Sequence, residues 1–270
     1  MDKSYADTVR LLLTVAPAVL ANDIFAMKGG TAINLFVQDM PRLSVDIDVV
    51  YLPWQVPRDD ALRAINQELA TISARVETLG VQTRLVRSRD LGDTKLIVEN
   101  ETSQVKVEVN VVFRGTVLPV ERRSLSARTG DRFGVEFEVP ILAPDELYAG
   151  KLAAALDRQH PRDLFDVWQL YESGGITEGM VECFVVYLAG HNRPIHEVLF
   201  GNNKDIAAEY DRAFMRMTEV GCTLATLLDA RAQLRRELPA RLSEAHKQFL
   251  GGLARAQPDC LYCSVSTPLN

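Results

Sequence analysis

The sequence lacks any apolar run long enough to cross a bilayer. Its longest, Leu11 to Ala21, is interrupted by Thr14 and Pro17 and falls well short of the ~20 residues a spanning helix needs. Cysteine is scarce: four in 270 residues do not make a disulfide framework and read as reduced thiols. A positive surplus is missing too. Lys+Arg number 30 against Asp+Glu 36, a net charge of -6, so the totals do not propose a nucleic-acid coat, although a local basic site stays open. The first residues, Met1-Asp2-Lys3-Ser4-Tyr5-Ala6-Asp7, lack the basic n-region of a signal peptide, and the expectation is a cytoplasmic chain without a membrane partner. What is there, 47% hydrophobic and 24% charged residues, is the composition of a soluble globular protein with room for about two domains.

Two textures follow one another along the chain. Mixed three- and four-residue apolar spacing predicts an opening helix from Tyr5 to Leu20 that Pro17 kinks or ends. Ile24 to Thr31 reads as a strand stopped by Gly29-Gly30, with a short helix after it. Leu43 to Leu52 alternates apolar and polar residues and predicts a second strand. A helix is expected over Asp59 to Thr78, then strands over Val81 to Val86, Thr94 to Val98 and Gln104 to Phe113, and a strand pair across Thr116 to Val120 and Phe133 to Ile141. The first half is therefore an α+β domain with a mostly antiparallel or mixed sheet. After Pro144 only helices are predicted: Asp145 to Arg158, Pro161 to Tyr171, Thr177 to Ala189, Lys204 to Met217 and Cys222 to Phe249. The boundaries read as a sheet domain over 1–143, a helical domain over 144–255, and a polar, loosely ordered tail over 256–270.

The sharpest chemical feature is Ser44-Val45-Asp46-Ile47-Asp48-Val49. Residues two apart on a strand share a face, so Asp46 and Asp48 point the same way while Val45, Ile47 and Val49 pack inward. Two carboxylates side by side repel unless a cation lies between them, and hard oxygen ligands suit Mg²⁺ or Mn²⁺ together with phosphate oxygens. Upstream, Lys28-Gly29-Gly30-Thr31 lies between a strand and a helix, where glycines let backbone N–H groups approach a phosphate. Downstream, Glu108 is on the polar side of a strand whose other face is Val105, Val107, Val109 and Val111, a placement that brings a third carboxylate within reach. In the helical half, Lys151 and Arg158 fall inside the apolar arc of Leu147, Tyr148 and Ala155, opposite Asp145, Glu146 and Asp157 on the expected solvent face. Inward cations need an anionic partner or a phosphate.

These segments resemble the nucleotidyltransferase signature: a glycine pair after a strand, a D-x-D on the next strand and a third acid on a later one. The wording Lys28-Gly29-Gly30-Thr31-Ala32-Ile33-Asn34-Leu35 and Arg42-Leu43-Ser44-Val45-Asp46-Ile47-Asp48 is similar to the AbiEii/AbiGii toxin family, including the mycobacterial MenT toxins. The likeness continues through Glu146 to Ala154 and Arg162 to Trp168. It implies a polymerase-β-like mixed-sheet domain followed by a helical domain that contributes to the active site. It further implies metal-dependent transfer of a nucleotide from an NTP, a type IV toxin held by a cognate antitoxin, and for some relatives a tRNA 3′ end as acceptor. Asp46, Asp48 and Glu108 take the metal-ligand and catalytic positions, with Lys28, Gly29, Gly30, Thr31, Lys151 and Arg158 as nucleotide contacts. Ser44 matches a serine that in the family contacts the nucleotide or is modified. A lysine and an aspartate of the helical half also belong to the family's active site; Lys151 matches the first, and Asp163 or Asp166 the second, with Asp163 favoured. Arg162 is either a phosphate contact or a partner to one of these acids. Two rival readings are a transferase acting on a protein or small molecule, and a non-catalytic domain that binds a nucleotide or partner.

Other signals carry less. Cys260 and Cys263 have the spacing of half a zinc site with no second pair. His160 before Pro161 reads as a helix-start residue rather than a base, and no serine has a nucleophile-elbow context. Any RNA contact is expected at Arg84, Arg87, Arg89, Arg122 and Arg123.

Overall fold

The computed structural model describes residues 3–87, 93–111 and 113–257. The chain divides into two compact units, Met1–Ala143 and Pro144–Asn270.

The first unit opens on α1 (Lys3–Val19), which ends just beyond Pro17. Then come β1 (Phe25–Lys28), the short α2 (Gly29–Ala32) running into a π-helical turn at Ile33–Val37, and β2 (Asp46–Tyr51). After α3 (Arg58–Glu77) the chain forms β3 (Gln82–Arg87), β4 (Asp93–Glu99), β5 (Gln104–Asn110), β6 (Glu121–Ser124), α4 (Ala127–Phe133) and β7 (Glu138–Ile141). Among the described residues the strands make one mixed seven-stranded sheet in the order β3-β4-β5-β2-β1-β7-β6. The pairs β2/β5 and β1/β7 are parallel and the others antiparallel.

Period-two patterning explains which face is covered. Ile47 and Val49 of β2, Leu96 and Val98 of β4, and Val105, Val107 and Val109 of β5 are fully or almost fully buried. α1 and α3 pack on each other and on these strands, α3 presenting Ala61, Ile65, Leu69, Ile72 and Val76. Each such side chain contributes ~1.5–3 kcal/mol by leaving water. A one-residue slip of β2 would turn Ile47 outward and Asp48 into the core, so burial fixes the register.

The second unit is helical: α5 (Pro144–Asp157), α6 (Pro161–Glu172), α7 (Glu178–Ala189), α8 (Ile195–Phe200), α9 (Ala207–Ala213), α10 (Leu224–Arg241) and α11 (Glu244–Ala254). α5 is its hub, packing on α6, α7, α8 and α10. Side chains cap several helix starts: Thr177 accepts from Met180 N, Thr223 from Thr226 N, and His160 from Arg162 N. His160 is thus a cap, as its place before Pro161 predicts, and burial with the nearby Arg162 lowers its pKa.

Three expectations need correction. Thr116 to Val120 is not a strand; β6 begins at Glu121 and pairs with Glu138–Ile141 alone. The second predicted strand starts too early, since Phe133 ends α4, which is stopped by Gly134 in the left-handed region at φ 66°, an end signal hidden in so short a helix. The long terminal helix is two, because Ser243 and His246 form a capping box that starts α11. Of the arginines named for an RNA contact, Arg84 and Arg87 belong to β3 and Arg122 and Arg123 to β6, at the two opposite edges of the sheet. Arg89, Cys260 and Cys263 lie outside the described residues.

Candidate active site

In the first unit, sheet register sets four charged residues in one row. Lys28 on β1 is the partner of Asp48 on β2, Asp48 of Glu108 on β5, and Glu108 of Lys95 on β4. Register partners share a face, so two acids stand between two lysines on the side opposite the valines. Asp46 lies on this face one pleat along, beside Lys106. The Glu108 carboxylate receives Lys95 Nζ at 3.0 Å, and both side chains are 32% exposed.

The glycine turn rests on these acids. Gly29 has φ +76°, and a Cβ there would stand 2.5 Å from Asp48 Oδ2. The position therefore requires glycine twice, for its left-handed backbone and for the close approach. A Cβ on Gly30 would meet Arg42 Nη2 at 2.6 Å and Ser44 Oγ at 3.1 Å. Buried Thr31 donates its hydroxyl to the Asp46 carbonyl and shares a hydrogen bond of 2.9 Å with the Ser44 hydroxyl. Asn34 Nδ2 donates to the Gly30 carbonyl at 2.9 Å. Lys28, Gly29, Gly30, Thr31 and Ser44 are thus brought together with Asp46, Asp48 and Glu108. Thr31 spends its hydroxyl on tying the turn to β2, a role its type did not announce.

The donor set fits a hard divalent cation: three carboxylates on one face, two of them on adjacent strands and no softer ligand among them. Among the described residues no three His, Cys, Asp or Glu side chains stand together as a metal-ligating group. Glu108 is turned to Lys95 instead.

The second unit gathers its own ions. Lys151 of α5, 6% exposed, meets Asp163 Oδ1 at 2.8 Å and Asp166 Oδ2 at 3.0 Å, both from α6. Arg158 grips Asp163 with its guanidinium, Nη2 donating to Oδ1 at 2.9 Å. Burial alone would raise the Asp163 carboxyl, but Lys151 and Arg158 hold it far below the usual carboxylate range. The inward cation expected at Lys151 therefore has two carboxylates as partners inside its own unit. Asp163 and Asp166 share that lysine, and Asp163 also receives Arg158. Asp166, expected farther from the apolar arc, is 1% exposed. Arg162 donates its backbone N–H to His160 Nδ1 at 3.1 Å.

One reading of α5 is overturned. Glu146, placed on the solvent face, is 1% exposed and accepts a hydrogen bond from Tyr187 of α7 at 3.3 Å. α5 is enclosed on several sides, so a single-face wheel misassigns it. Cys183 nearby is buried, and burial pushes its thiol up to about 12, the state of an inert thiol.

Comparison with known proteins settles the family. The family model "Nucleotidyl transferase AbiEii toxin, Type IV TA system" matches residues 10–265. The chain belongs to the AbiEii family. It is accordingly a nucleotidyltransferase of the type IV toxin–antitoxin class. Among solved structures, this AbiEii chain is similar to MenT4, a nucleotidyltransferase toxin from Mycobacterium tuberculosis H37Rv, at 19% identity, with 96% of each chain covered and a TM-score of 0.62. That likeness is one of fold. No curated protein matches the sequence. No helix among the described residues is long and apolar enough to cross a membrane.

Proposed function

We propose that the AbiEii chain transfers a nucleotide from an NTP to the 3′ end of a tRNA in the cytoplasm, using Mg²⁺ or Mn²⁺ held by Asp46, Asp48 and Glu108, and that a cognate antitoxin protein neutralises it. One observation carries the metal and triphosphate part: Asp48 and Glu108 are register partners on parallel strands, with the Gly29 turn packed directly on Asp48. When bound, the metal supplies positive charge to the triphosphate and to the oxygens that become more negative during transfer. The Gly29-Gly30 backbone and Lys28 bind phosphate oxygens, while Thr31 and Ser44 fix the turn against β2. Glu108 accepts the proton of the attacking hydroxyl. The acceptor oxygen forms its bond to the α-phosphorus in line with the bond that breaks, and pyrophosphate leaves. Lys151 and Asp163 are carried from the family resemblance as further residues the reaction requires, with Arg158 and Arg162 as nucleotide contacts of the helical half. The burial of the Lys151–Asp163–Asp166 cluster supports a fixed ionic constellation rather than a loose surface pair.

The test is incubation with each labelled NTP, Mg²⁺, and total tRNA or total protein, with Asp46→Ala as control. Label is expected in the tRNA pool and absent with the variant. Label in protein alone moves the acceptor to protein, and label in neither pool overturns the proposal.

A further inference from the structure

Lys95, the outer member of the charged row on the β4 side, has no part in the chemistry above, yet it holds a catalytic acid. Lys95 lies one strand beyond Glu108, in antiparallel register with it, and its Nζ is 3.0 Å from Glu108 Oε1. Glu108 is at the same time the register partner of Asp48. In a sheet, neighbouring strands stand ~4.8 Å apart, so the Glu108 carboxylate lies between a lysine on one side and an acid on the other. Rotation about its side-chain bonds is enough to exchange them. Its present choice is Lys95, and no three-carboxylate metal group stands assembled among the described residues.

We infer that Lys95 is a positioning residue that competes with the divalent metal for Glu108: it keeps the third carboxylate paired while the site holds no cation and yields it when one binds. This inference rests on the metal-dependent reading given above. The physics favours an exchangeable contact. Both partners are about one-third exposed, and ion pairs with that much water around them are weak. A cation between Asp48 and Glu108 would gain two carboxylates at once, whereas Lys95 offers Glu108 a single ammonium. Without Lys95, the row would place Asp48 and Glu108 side by side with one lysine fewer to offset their repulsion. With it, the two acids remain close enough for capture of a metal, and Glu108 has a cationic partner before it arrives.

The competition predicts an unusual sign: removing a charged residue from the site should strengthen metal binding. Mn²⁺ titration of the full-length, nucleotide-free protein, read by calorimetry or by electron paramagnetic resonance, measures it directly. Lys95→Met is expected to bind Mn²⁺ about fivefold more tightly than the parent, the scale a partly exposed ion pair permits. Lys95→Gln, which keeps a polar side chain, is expected to behave alike. In a Glu108→Gln background the same Lys95→Met change is expected to have less than about half that effect, because the contested carboxylate is gone. Unchanged or weaker Mn²⁺ binding in both Lys95 variants overturns the inference. So does an equal gain with and without the Glu108 carboxylate, which would mean that Lys95 acts only through its long-range charge. Failure of the underlying reading looks different: the parent would then bind Mn²⁺ no better than Asp48→Ala does.

Discussion

The molecule holds two ionic clusters of similar composition in opposite settings. In the sheet unit, Lys28, Asp48, Glu108 and Lys95 form a row whose measured pair, Lys95–Glu108, is about one-third exposed. In the helical unit, Lys151, Asp163 and Asp166 are between 1% and 6% exposed, and Arg158 closes the set from a more exposed position. Water decides what each can do. The exposed pair is screened by water and weakly held, so its partners can be exchanged. The buried set has opposite charges matched within itself, and losing Lys151 takes from Asp163 and Asp166 a cation that they share out of water.

The sharpest way to break this contrast is in the buried cluster. Lys151→Met is expected to destabilise the helical unit by about 3–5 kcal/mol, read as a lowered urea midpoint in a two-domain unfolding curve. A midpoint equal to the parent would show that the cluster is as adjustable as the exposed row. On the sheet side, Asp48→Ala is expected to cost about 10²–10³-fold in nucleotide transfer, the scale of losing one charge-stabilising group. Its melting temperature should stay near that of the parent, since the variant also removes a like-charge neighbour of Glu108. A collapse of the fold would instead assign Asp48 a structural duty.

A smaller effect is expected at the turn. Gly29→Ala must place a methyl against Asp48 Oδ2 in a left-handed backbone, costing about 1–2 kcal/mol of stability, and it should weaken NTP and metal binding together. Gly30→Ala meets the end of a flexible arginine and should be milder in the same calorimetric titration. The smallest signal is the pH response of the helical unit. The folded Asp163 carboxyl is held below its unfolded value of about 3.9, so its contribution to stability is fully present above that value and is lost only as pH falls through the lower folded one. Between pH 5 and 8, Asp163→Asn should therefore show a constant deficit relative to the parent in thermal melts. A deficit that grows with pH in that range would contradict the direction of the shift.

Much of this was readable from residue order, and what was not has definite physical reasons. The α+β class, the alternation of β2 and β5, and the Gly29-Gly30 turn all follow from local periodicity and backbone chemistry. Glu108 could be named from its strand face, but its alignment with Asp48 depends on parallel register, which no local pattern encodes. Lys95 escaped notice for the same reason. It becomes part of the row only through the β4/β5 pairing. Glu146 was misplaced because its burial depends on Tyr187, contributed by another helix. Asp163 and Asp166 could not be separated because both face one lysine across a helix pair.

The β2/β5 pairing also has a consequence in time. A parallel pair cannot be closed by a hairpin, and here α3, β3 and β4 intervene between the strands that carry Asp48 and Glu108. The contact is non-local and its loop-closure entropy must be met before it forms. A chain emerging from the ribosome carries Asp46, Asp48 and the glycine turn well before it carries Glu108. β7, which flanks β1, arrives later still. The nascent chain therefore carries Asp46, Asp48 and the glycine turn without their alignment to Glu108, which comes only when nearly the whole first unit has been synthesised and folded.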